Sequence, residues 1–95
     1  MSITQLNTIR NRAKPIFQAH GISKASIFGS AVRGELKKKS DIDFLIDTKG
    51  KFSLVDFIDL KHALEKSLAR PVDLLEYQAI KPSLRKKISE EQILL

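Results

Sequence analysis

The apolar residues Ile3, Leu6, Ile9, Ala13, Ile16 and Phe17 recur at three- and four-residue intervals, the spacing that lines one stripe of a helix. Ser2 and Gln5 have the spacing of a capping box at its start, and Gly21 after His20 suits a left-handed stop. Pro15 falls inside this pattern, where a kink or a split into two helices is expected. Ala25-Ser26-Ile27-Phe28 then reads as a short strand running into Gly29-Ser30, with a short helix expected from Ala31. In the next segment Ile42, Phe44 and Ile46 alternate with Asp41, Asp43 and Leu45, the period-two signature of a strand with two unlike faces. Lys49-Gly50-Lys51 supplies a turn. Ser53 is a candidate N-cap, with Asp56 in the first turn, for an amphipathic helix marked by Leu54, Phe57, Ile58, Leu64 and Leu68. Arg70-Pro71 breaks it, Val72-Asp73-Leu74-Leu75 reads as a third strand, and a last helix is expected near Pro82, carrying Leu84, Ile88 and Ile93. Helices and strands in this order predict a small sheet covered by helices.

The length of 95 residues supports one domain, residues 1–95, and no internal repeat or linker divides it. No apolar run approaches the ~18 residues that would span a bilayer, so no membrane partner is expected. With no basic-then-apolar leader at the N-terminus and no cysteine, the expected location is cytoplasmic, and thiolate metal sites are ruled out. Seventeen Lys and Arg against 11 Asp and Glu leave a net charge of +6, which suits polyanionic partners such as nucleotides or RNA and equally serves solubility.

The carboxylates narrow this. Acids are unfavourable in a buried strand, yet the most apolar stretch is Asp41-Ile42-Asp43-Phe44-Leu45-Ile46-Asp47. Asp41 and Asp43 project from one face with Cα atoms ~6.6 Å apart. Such a pair repels unless a proton or cation lies between them, and Mg²⁺ favours carboxylate and phosphate oxygens. Asp47 points the same way but lies about 13 Å beyond Asp43. That is too far to share a site whose metals stand ~3.5–4 Å apart. A third carboxylate therefore has to come from a neighbouring strand. Asp73, between apolar flanks, is the candidate, while Glu76 falls on the opposite side of that strand. Alone, the two aspartates are also consistent with a strand entry and a solvent-facing position.

Upstream, Phe28-Gly29-Ser30 marks a change from strand to helix, where glycine allows close backbone approach and free N–H groups favour anions. Ser30 adds a hydroxyl, and Arg33, about one turn later, has the fork geometry for phosphate.

Gly29-Ser30-Ala31-Val32-Arg33-Gly34-Glu35, a four-residue spacer and Ser40-Asp41-Ile42-Asp43-Phe44-Leu45-Ile46-Asp47 together resemble the minimal nucleotidyltransferase family of the polymerase-β-like superfamily. The resemblance implies an α/β (α+β) nucleotidyltransferase fold, a small mixed sheet with helices packed on one face. It implies Asp41, Asp43 and Asp73 as catalytic metal ligands for two Mg²⁺ ions, with Asp73 also drawing the proton from the attacking hydroxyl. Gly29, Ser30 and Arg33 become the nucleotide-binding turn, with ATP as substrate. No role is implied for Glu35, and Lys37-Lys38-Lys39 reads as a solvated loop lying where an acceptor would approach.

Stand-alone members of that family resemble antitoxins that move AMP from ATP onto a tyrosine of a HEPN ribonuclease toxin, so a HEPN-type partner is expected. Two alternatives stand beside this: an antitoxin acting by stoichiometric contact, and a nucleotidyltransferase acting on RNA or a small molecule such as an aminoglycoside. The aromatic residues, five Phe and one Tyr, form no stacking row for RNA. His20 reads as a helix-end residue, His62 as structural, and Tyr77 as a surface residue that alternatively packs near a base.

Overall fold

The computed structural model describes residues 3–28 and 41–95. The expected short helix from Ala31, the residues Gly29, Ser30, Arg33, Gly34, Glu35 and Lys37 to Lys39, and the Ser2 cap lie outside them. The chain forms α1 (Ile3–Ala19), β1 (Ala25–Phe28), β2 (Ile42–Ile46), α2 (Leu54–Leu68), β3 (Val72–Glu76), a 3₁₀ turn (Tyr77–Ala79), α3 (Pro82–Glu91) and β4 (Ile93–Leu94).

The strands lie in the order β3-β2-β1-β4. β1 runs antiparallel to β2 and β4, and β2 runs parallel to β3, so the sheet is mixed. The parallel pair requires a crossover, which α2 provides. One stripe of α1 (Ile9, Ala13, Phe17) and one of α2 (Leu60, Leu64, Leu68) pack with Ile27, Ile42, Phe44, Ile46 and Val72 in a single core. Phe44, fully buried, takes the edge of the Phe17 ring at 5.2 Å and 76°. Burying each such side chain contributes roughly 1.5–3 kcal/mol. Because β2 gives Ile42, Phe44 and Ile46 to this core, Asp43 and Leu45 face the other side of the sheet.

The helix ends fix where the strands begin. α1 stops in a Schellman arrangement: Ile22 N–H donates to Phe17 O (2.8 Å) and Gly21 N–H to Gln18 O (3.1 Å). Gly21 sits at φ 77°, the left-handed conformation that the motif demands. Ser53 and Asp56 cap α2 reciprocally at 3.2 and 2.8 Å. At its other end Ala69 takes φ 55°, and the Glu65 side chain accepts Val72 N–H at 3.0 Å, tying the last helical turn to the first residue of β3.

Three expectations need correction. Pro15 neither splits nor ends α1, which runs through to Ala19; Pro15 lies on the exposed side, where water can satisfy the carbonyl its missing N–H leaves unpaired. Ile93 does not belong to the last helix: α3 ends at Glu91, and Ile93 pairs with Ile27 in β4. Leu84 in α3 is 48 % exposed, and so are Leu54 (75 %) and Ile58 (44 %) at the start of α2, so these apolar positions do not face the core. No helix among the described residues is long and apolar enough to cross a membrane.

Candidate active site

β2 is flanked by β3 and β1, and this arrangement brings the carboxylates together. In the parallel register Ile42 lies beside Val72, so Asp43 lies directly beside Asp73. Neighbouring strands are ~4.8 Å apart, and register partners in a parallel pair share a face. Val72 and Leu74 turn to the core, which puts Asp73 on the face that Asp43 occupies. Asp41, two residues before Asp43 and just outside the strand, is exposed; Asp43 is half-buried and Asp73 exposed. The register is anchored at the entry to β2 by the bond from Ile42 N–H to Pro71 O at 3.0 Å.

The other neighbour of Asp43 is Phe28, the last residue of β1. Phe28 and Asp41, the described residues on either side of segment 29–40, therefore both lie near Asp43.

The remaining acids have structural work. Glu76 accepts Thr48 N–H at 3.0 Å and Gln78 N–H at 3.1 Å, joining the loop after β2 to the 3₁₀ turn. Asp47 accepts Lys49 N–H at 3.0 Å within its own turn. His20 sits at the end of α1, and His62 is exposed on α2.

Two carboxylates held side by side on adjacent strands repel each other and weaken the sheet locally, which a divalent cation would relieve. Among the described residues no group of three His, Cys, Asp or Glu side chains is placed to hold a metal ion. A pair nonetheless suits Mg²⁺. That ion is bound through one or two carboxylates together with substrate phosphates and waters, rather than by an all-protein cage. The donor set here, hard oxygens with neither Cys nor His among them, matches that preference.

A cleft of about 590 Å³ lies between the end of α1 and the start of β1, beside Leu94 and Leu95, and is lined by no Asp or Glu. A smaller cavity of about 230 Å³ lies on the carboxylate face, lined by Leu45, Ser26, Tyr77 and Gln92 among others. Of these the sequence had singled out only Tyr77. Ser26 and Gln92 meet across 66 positions and leave no local signal.

Comparison with known proteins shows similarity over most of the chain. The family described as polymerase beta, nucleotidyltransferase, matches residues 11–95. A Methanocaldococcus jannaschii protein named as a protein adenylyltransferase, MJ0435, is 42% identical over 88 residues, covering 93% of this chain and 95% of its own. The protein adenylyltransferase MntA of Thermococcus cleftensis is 36% identical over 80 residues, covering 84% of this chain and 81% of its own. Among solved structures, one described as a minimal nucleotidyltransferase superposes with a TM-score of 0.85 at 33% identity, over 100% of this chain and 97% of that one. A toxin–antitoxin structure with AMP-PNP shares the fold, with a TM-score of 0.78 at 18% identity over 90% of this chain and 70% of that one.

Proposed function

The chain belongs to the polymerase beta nucleotidyltransferase family, and on that basis we propose that it is a protein adenylyltransferase that silences a HEPN-type toxin by moving AMP from ATP to a tyrosine hydroxyl. One observation supports the reading: the register of the sheet sets Asp73 on one side of Asp43 and Phe28, the residue before Gly29, on the other. Two relatives named as protein adenylyltransferases support the acceptor class, and the toxin–antitoxin structure that shares the fold supports the kind of partner.

In this reading Asp41 and Asp43 would hold Mg²⁺, and Gly29 and Ser30 grip the phosphate chain of ATP with backbone N–H groups and the serine hydroxyl. Arg33 contacts the phosphates through its guanidinium fork. Asp73 takes the proton of the acceptor hydroxyl as its oxygen attacks the α-phosphorus. The bond from that phosphorus to the bridging oxygen breaks as the new one forms, and pyrophosphate departs. When bound, Mg²⁺ would supply charge neutralisation of the attacking and leaving oxygens. A partner protein that brings its own tyrosine would supply the acceptor.

Asp73→Asn tests the division of labour. It is expected to leave Mg-ATP binding largely intact, as read by calorimetric titration, while AMP transfer falls by orders of magnitude. Equal losses of binding and transfer would make Asp73 chiefly a ligand or a structural residue, and unchanged transfer would remove it from the chemistry.

A further inference from the structure

We propose that Glu65 is a positioning residue for AMP transfer, holding the turn that leads into β3 so that Asp73 stands at its place beside Asp43. This rests on the reading of Asp73 as the group that takes the acceptor proton.

β3 is the outermost strand of the described sheet, so its outer edge has no neighbouring strand to pair with. On the inner edge Ile42 N–H donates to Pro71 O at 3.0 Å. Bonding groups alternate along a strand of a parallel ladder, so Pro71 and Asp73 turn theirs to β2 and Val72 turns its N–H outward. Val72 is 1 % exposed, and a buried N–H without a partner is costly. The Glu65 carboxylate supplies that partner: Oε2 accepts Val72 N–H at 3.0 Å.

Glu65 holds the same turn twice. Its backbone carbonyl accepts Ala69 N–H at 2.9 Å, closing α2, and its side chain takes Val72 on the far side of Arg70 and Pro71. Ala69 turns the chain through its left-handed conformation, and Arg12 Nη1 braces this end of α2 by donating to Ser67 O at 3.3 Å. Asp73 follows Val72 directly, one step of ~3.3 Å along the strand from the pinned N–H. Asp43 has other support, because β2 is paired on both sides. Loss of the Glu65 bond therefore loosens one member of the carboxylate pair and spares the other.

Glu65 acts through the backbone and not on the reacting atoms. It belongs to α2, whose Leu60, Leu64 and Leu68 pack on the core face of the sheet, whereas Asp43 and Asp73 lie on the opposite face. A displacement of about 1 Å at a reacting group can cost ~10²-fold in rate, so a bond one residue away from Asp73 is enough to matter.

The test compares wild type with Glu65→Ala, Glu65→Gln and Glu65→Asp, each as the full chain with Mg²⁺ and ATP, below its own Tm. AMP transfer is followed with the product of the neighbouring gene as acceptor, Mg-ATP affinity by calorimetry, and exchange of the Val72 amide by NMR. Glu65→Ala is expected to lower kcat at least tenfold, to speed Val72 exchange, and to keep Mg-ATP affinity within about twofold of wild type. Glu65→Gln, whose amide oxygen still accepts, is expected to recover most of the loss. Glu65→Asp, one methylene short of the N–H, falls between and decides the matter should Glu65→Ala fail to fold. A merely structural cap would lower Tm and leave kcat of the folded protein intact. The proposal is overturned by that result, by Mg-ATP affinity falling in step with kcat, by Glu65→Gln faring no better than Glu65→Ala, or by Val72 exchanging at the wild-type rate without the carboxylate. Failure of the underlying reading looks different: wild type would then transfer nothing, or Asp73→Asn would transfer as fast as wild type.

Discussion

Replacing Asp73 with Asn is expected to make the metal-free protein more stable while disabling it. The register sets the two residues on neighbouring strands, ~4.8 Å apart along the backbone; at about 5 Å between charges the Coulomb repulsion is ~0.8 kcal/mol at the dielectric constant of water and ~3 kcal/mol at an effective value of 20. Asp73 is exposed and Asp43 half-buried, so the lower figure governs, and a gain of roughly 0.5–1 kcal/mol follows. For a domain of this size that raises Tm by ~2–8 °C. The assay is thermal or urea unfolding of wild type and variant at low ionic strength in a chelator, repeated at 1 M salt and again with Mg²⁺. Salt is expected to shrink the difference, because the Debye length falls to ~3 Å at 1 M. Mg²⁺ is expected to narrow it as well, because a cation held by Asp41 and Asp43 offsets the charge beside Asp73. A variant that is less stable than wild type at low salt, or a difference indifferent to both salt and Mg²⁺, would refute a repulsive carboxylate pair at this register.

Two further predictions concern the elements that set that register. Ala69→Gly at the end of α2 should stabilise by about 1 kcal/mol in urea unfolding, because Ala69 holds a left-handed conformation (φ 55°) that glycine adopts without steric cost; a loss of stability would mean that its methyl group packs usefully. Ser53→Ala should cost ~1 kcal/mol by removing one half of the capping box, and a change below a few tenths would show that this cap is dispensable.

The local patterns along the chain carried much of this structure. Alternation in residues 41 to 47 marked β2 and the face on which its aspartates lie, and the Gly21 and Ser53 signals marked helix ends that the structure places at those residues. The pairing of Asp43 with Asp73 was only inferable by elimination. A parallel register across a crossover helix is set by tertiary packing, which no local window contains. β4 escaped notice for the same reason. Two residues have no period, and Ile93 and Leu94 are strand only because the edge of β1 pairs with them. Pro15 misled in the opposite direction: its local penalty is real, but an exposed position on a helix held by Ala13 and Phe17 in the core absorbs it. Gly29, Ser30 and Arg33 lie outside the described residues, of which Phe28 and Asp41 are the nearest in sequence.

The central claim, AMP transfer to a partner protein by these carboxylates, is tested most directly by intact-mass measurement. The purified chain is incubated with Mg²⁺, ATP and the product of its neighbouring gene as candidate partner, beside a variant carrying Asp41→Asn and Asp43→Asn. The account predicts that the partner gains the mass of AMP on a tyrosine with wild type and gains nothing with the variant. An unmodified partner bound in a tight complex, or modification that persists in the variant, would contradict it.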